Sequence, residues 1–84
     1  DRNKYVIELG GEEISLPKKE FELLALLASK PGNVFTRDFI LSSVWGDQVV
    51  VGDRTIDVHI RKLREKIGDK RISTVKGVGY KFEQ

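Results

Sequence analysis

The stretch Asp53-Arg54-Thr55-Ile56-Asp57-Val58-His59-Ile60-Arg61-Lys62-Leu63-Arg64-Glu65-Lys66-Ile67-Gly68 decides how the rest of the chain is read. At about 100° per residue, Ile56, Ile60, Leu63 and Ile67 fall in one narrow stripe, as in a helix seated on a core. Asp53 suits the N-cap and Gly68 the C′ position, so the helix is bounded at both ends. Arg54, Val58, Arg61, Lys62 and Glu65 gather on the opposite face, with Thr55 beside them. Arg64 and Lys66 flank the two sides, and His59 borders the core. A bar with an aliphatic back and a cationic front has the dimensions to lie in the major groove of B-DNA, ~12 Å wide. Arg bonds O6 and N7 of guanine together, Lys does so less rigidly, and Val58 offers a methyl surface to thymine. Thr55 and the backbone N–H groups at the helix start suit a phosphate. Asp57 precedes Arg61 by four residues, a spacing that either orients the guanidinium or simply stabilises the helix. An ordinary solvated helix face has the same composition, so the wheel alone leaves both readings open.

Beyond this helix, Ile72-Ser73-Thr74-Val75 and Tyr80-Lys81-Phe82 read as strands around Lys76-Gly77-Val78-Gly79. The two glycines permit a tight hairpin with positive φ. Its tip carries Lys76 on a slim projection that suits the negative potential of a minor groove. The same residues equally describe a routine turn with Tyr80 packed on the core. No helix follows Gly79 to present its N-terminus to a nucleotide phosphate.

Working toward the N-terminus, Gly46 to Gly52 is a connection centred on Val49-Val50-Val51, longer than the three or four residues of a plain helix-turn-helix. Before it a helix is expected from Arg37 to Val44 or Trp45, capped by Thr36, with Ile40, Leu41 and Val44 inward. Pro17 to Ser29 is an earlier helix with Phe21, Leu24 and Leu27 on one stripe, stopped by Pro31-Gly32. Lys4 to Leu9 and Glu12 to Leu16 are β-prone runs flanking the hairpin signal Gly10-Gly11. The order β-β-α-α-α-β-β is that of an α+β domain with its helices in the middle.

Composition narrows the function. The 84 residues allow one small domain, 1–84, with 39% hydrophobic and 33% charged residues. Without Cys, and with His59 as the single His, disulfides, thiolate zinc sites, Cys nucleophiles and multi-imidazole metal sites are excluded, and no cofactor is expected. No apolar run is long enough to cross a bilayer, so no membrane partner is expected. The chain has no Met, and the expectation is a piece of something longer. Residues 1–52 carry six Lys or Arg against eight Asp or Glu, whereas residues 53–84 carry nine against five. Such asymmetry hints that one half meets a polyanion. Glu12-Glu13 and the pair Glu20 and Glu22 read as solvated surface, and no Ser-His-Asp or Cys-His pattern accompanies His59, so no enzyme is expected. Trp45 reads as a core anchor whose indole N–H remains available to a phosphate.

Taken together, several blocks resemble the OmpR/PhoB-type effector domain of bacterial response regulators. They are Leu16-Pro17-Lys18-Lys19-Glu20-Phe21-Glu22-Leu23-Leu24, Pro31-Gly32-Asn33-Val34-Phe35-Thr36-Arg37, Val44-Trp45-Gly46, Asp53 to Arg64 and Thr74 to Phe82. The resemblance implies a winged helix-turn-helix: an N-terminal antiparallel sheet, three helices and a C-terminal β-hairpin wing. It implies double-stranded DNA binding as the output domain of a two-component regulator, with the third helix in the major groove and the wing at the minor groove. Arg54, Val58, Arg61, Lys62 and Arg64 match its base-reading positions. Trp45, Thr55, His59, Thr74, Gly77 and Tyr80 match backbone-contacting positions, and Lys76 matches the wing-tip cation. Gly46, Asp47, Gln48, Val49, Val50, Val51 and Gly52 match the loop offered to RNA polymerase, although three valines there could instead pack internally.

Further implications are binding to direct repeats, a cytoplasmic location, a monomeric isolated domain, and a histidine kinase acting only through a receiver domain absent from this chain. The family usually carries Arg where Lys76 stands, and often a Thr or Ser cap where Pro17 stands, so a looser first-helix cap is expected. A winged helix whose basic face meets an acidic protein is the rival reading.

Overall fold

The computed structural model describes residues 5–46, 52 and 54–83. Strands β1 (Tyr5–Leu9) and β2 (Glu12–Leu16) form an antiparallel hairpin in which Leu9 pairs with Glu12. Gly10 and Gly11 make the two-residue turn, both with positive φ, as a twist-matched hairpin turn demands. Helix α1 (Lys18–Ser29) follows Pro17, whose carbonyl accepts from Phe21 N–H at 2.9 Å. No side chain caps this helix start, as the proline there suggested.

Strand β3 (Val34–Thr36) then leads directly into helix α2 (Arg37–Ile40). The sequence reading missed β3: three residues with no alternation to measure give no strand signal. Thr36 caps α2 as expected, its hydroxyl accepting from Phe39 N–H at 3.2 Å. The expected single helix to Trp45 divides, because Leu41–Trp45 is a π-helical turn. Ser42 Oγ donates to the Asp38 and Phe39 carbonyls, drawing polar chemistry into the turn where the ladder widens. Lys19 Nζ of α1 donates to the Val44 carbonyl at 2.7 Å, satisfying one of the groups that the helix end leaves open.

Helix α3 (Arg54–Ile67) leads through Gly68 to β4 (Ile72–Val75) and β5 (Gly79–Phe82). The second sheet has the order β3-β5-β4, all antiparallel, with Phe35 opposite Tyr80 and Thr74 opposite Tyr80 on its other side. At the wing the positive φ falls on Gly77. Gly79 is needed for another reason: a Cβ there would overlap the carbonyl oxygen of Phe35.

The core joins Leu23, Leu24 and Leu27 of α1, Ile40 and Val44, Ile56, Ile60, Leu63 and Ile67 of α3, and Phe35, Ile72 and Tyr80 of the second sheet. All four residues of the α3 stripe are buried, as its period required. On α1 the buried stripe runs through Glu20, Leu23, Leu24 and Leu27, while Phe21 is only half-buried against Tyr5. Glu20 is therefore a correction: read as solvated, it is 4% exposed. Its carboxylate accepts from Lys66 Nζ at 2.7 Å, which compensates its removal from water. Among the described residues, no helix is long and apolar enough to cross a membrane.

Candidate nucleic-acid interface

The outer face of α3 follows from its inner one. Burying Ile56, Ile60, Leu63 and Ile67 leaves Arg54, Val58, Arg61, Lys62 and Glu65 exposed, as the wheel expected. The helix has 14 residues and so extends about 21 Å. Arg54, Asp57, Val58 and Arg61 line one open depression on it. Among the described residues the ion pairs are Lys19–Glu22, Arg37–Asp57, Lys66–Glu20 and Lys81–Glu83. Arg54, Arg61, Lys62 and the wing-tip Lys76 are in none of these, and all four are exposed. Large apolar side chains are exposed at both places as well, Val58 on the helix at 37% and Val78 on the tip at 46%.

The hairpin lies against one flank of α3. Arg64 donates to the Ile72 carbonyl from Nε at 3.2 Å and from Nη2 at 2.8 Å, and to Thr74 Oγ1 at 2.8 Å. It was read as a base-reading residue, but these three bonds commit its guanidinium to the wing. Tyr80, expected at a backbone-contacting position, is turned inward. It is 4% exposed and its hydroxyl donates to Asp57 Oδ1. Asp57 in turn does not pair with Arg61. Arg37 holds it, through Nε at 3.3 Å and Nη2 at 3.2 Å.

Burial, then the bond to Asp57 and its negative charge, hold the Tyr80 phenol pKa above its usual value, with Arg37 acting in the opposite sense. For Arg37, burial works against the charge, but Asp57 and Tyr80 outweigh it and raise the pKa.

Trp45 is half-buried, edge-on to His59 with ring centres 5.0 Å apart. His59 Nδ1 lies 2.8 Å from the Thr55 carbonyl, which can only accept, so Nδ1 is the donor. Thr55 is partly exposed near the helix start, where its N–H bonds the Gly52 carbonyl at 3.0 Å. Thr74 and Gly77 are exposed in the hairpin. Of the connection between the helices only Gly46 and Gly52 are described. Asp47, Gln48, Val49, Val50 and Val51, and the Asp53 cap, lie outside the described residues. Among the described residues no group of His, Cys, Asp and Glu is arranged to hold a metal.

Three short helices against two small sheets, with a hairpin beside the last helix, define a winged-helix domain. Residues 11–82 match the family model described as "Transcriptional regulatory protein, C terminal". The chain belongs to this family, the OmpR/PhoB-type DNA-binding domains of response regulators. It is 45% identical over 82 residues to a heme response regulator, HssR, of Staphylococcus epidermidis, a match covering 93% of this chain and 37% of that protein. The chain thus spans little more than a third of that relative's length.

Among solved structures it is similar to the response regulator DrrB of Thermotoga maritima, described as an OmpR/PhoB homologue. The TM-score is 0.87 at 39% identity, covering 95% of this chain and 38% of that one. It is also similar to the DNA-binding domain of RstA from Klebsiella pneumoniae, solved in complex with the RstA box. There the TM-score is 0.83 at 36% identity, over 93% of this chain and 82% of that one. The family is one of transcriptional regulators, which is not an enzyme class.

Proposed function

We propose that this domain selects double-stranded DNA sites by laying α3 in the major groove while the β4–β5 hairpin reaches the neighbouring minor groove. The observation that carries the reading is the division of the cations. Arg37, Arg64 and Lys66 are spent on internal bonds, whereas Arg54, Arg61 and Lys62 stand exposed on the side of α3 opposite its buried stripe. Arg61, Lys62, Arg54 and Val58 are the base-reading residues in this reading. Trp45, Thr55, His59, Thr74 and Gly77 serve the phosphate backbone, and Lys76 the minor groove. The RstA relative, solved with its box, supports the same use of the fold.

Several wider roles belong to the same proposal. Residues 1–84 form the output part of a longer cytoplasmic regulator whose receiver is addressed by a histidine kinase. Two such domains bind direct repeats about one DNA turn apart.

Selection of sites from random duplex DNA, followed by binding to the selected duplex at one fixed salt concentration, tests the proposal. Arg61→Ala is expected to lose ~1–3 kcal/mol on that duplex and to relax preference at one base pair. Equal loss on every sequence would demote Arg61 to a phosphate contact. Absence of any selected sequence would favour the rival reading, in which the basic face meets an acidic protein.

A further inference from the structure

Two side chains lie between the cationic helix face and the cationic hairpin, and contact with DNA explains neither. Tyr80 is buried, and Asp57 is an acid beside Arg54 and Arg61 on the face that would meet a polyanion. We infer that Asp57 and Tyr80 are positioning residues that set the hairpin relative to α3, so that both cationic parts meet one duplex as a pre-arranged unit. The inference rests on the groove assignment above and adds to it the device that maintains the spacing.

The contacts converge from three elements. Asp57 Oδ1 on α3 accepts from the Tyr80 hydroxyl of β5 and from Arg37 Nε and Nη2 at the start of α2. Arg37 directly follows β3, and β3 pairs with β5 through Phe35 and Tyr80, so the carboxylate closes a loop of contacts between α3 and the sheet. The guanidinium carbon of Arg37 stands 5.1 Å from the centre of the Tyr80 ring, and that of Arg64 stands 5.9 Å from it. Arg64, from α3, also holds the Ile72 carbonyl and Thr74 of β4. Tyr80 is thus fixed by its hydroxyl and by two cations near its ring, and both strands of the hairpin are tied to α3. Pairing with Arg37 also offsets the charge of Asp57, which would otherwise repel phosphate beside Arg54 and Arg61. A hairpin already ordered loses less freedom when Lys76 reaches DNA, so the contribution of the tip depends on these bonds.

The chain has no Cys, so spin labels at Glu65→Cys and Val78→Cys report the distance between the outer face of α3 and the hairpin tip without interference. A narrow distance distribution is expected in the unsubstituted background. Broader ones are expected with Tyr80→Phe, which removes only the hydroxyl, and with Asp57→Asn, which keeps the shape. On a selected duplex, Tyr80→Phe is expected to weaken binding about fivefold or more. The fold-loss caused by Lys76→Ala is expected to be smaller in the Tyr80→Phe background than in the parent.

Unchanged distance widths, or Lys76 and Tyr80 losses that simply multiply, would overturn the inference while leaving the groove assignment standing. If Lys76→Ala and Arg61→Ala both leave the parent's binding unchanged, the groove assignment itself fails and the positioning role fails with it. Thermal unfolding identifies a variant that does not fold, and the Asp57→Asn and Tyr80→Phe results then each stand alone.

Discussion

Asp57 Oδ1 gathers donors from Tyr80 and Arg37, residues 23 and 20 positions away, and this single atom reassigns three neighbours. Arg61 is released to solvent, Arg37 becomes structural, and Tyr80 keeps its proton more firmly than a solvated phenol. A raised folded pKa gives stability that is complete below the unfolded value of about 10 and is lost as pH climbs through the folded value. The denaturation midpoint is therefore expected to fall above about pH 10, and Tyr80→Phe to remove part of that fall. An identical alkaline profile in the variant would show that the phenol carries no such linkage. The wing glycines differ at the same scale. Gly79→Ala forces a Cβ into the Phe35 carbonyl, so it is expected to destabilise by about 3 kcal/mol or more. Gly77→Ala meets open space and only the unfavourable positive φ, about 1–2 kcal/mol. Urea unfolding of the two variants side by side reads the difference.

Among the elements, α3 was the most legible. Four aliphatic residues at helical spacing with charges opposite fix both a buried and an exposed side, whatever the helix packs on. Leu63 is fully buried at the centre of that stripe, and Leu63→Ala is expected to cost ~2–5 kcal/mol in denaturant unfolding. A loss of a few tenths would contradict the burial. The β1–β2 hairpin was equally readable from Gly10-Gly11 between alternating runs. By contrast, β3 exists only because β5 pairs with it, and its three residues carry no periodic signal of their own. The π-helical turn at Leu41–Trp45 escaped for a similar reason: Lys19, 25 residues before Val44, supplies a bond to its last turn that no local pattern announces.

At the scale of the whole molecule, folding sorts the basic residues into those that hold the structure and those left for a partner. If Lys76 meets phosphate at the minor groove, Lys76→Ala is expected to weaken binding to all duplexes similarly and reduce the logarithmic salt slope by about 1. An unchanged slope would place the hairpin tip outside the electrostatic footprint. The amino-acid order by itself determined the helix that faces outward, the hairpins at both ends and the family, because these depend on local periodicity, turn chemistry and motif spacing. Only tertiary structure decided which cations are available. Glu20 is buried beside a lysine 46 residues away, and Arg64 turns to Ile72 and Thr74 instead of solvent, because the choice of partner for a charge is made by chain segments that meet only on folding.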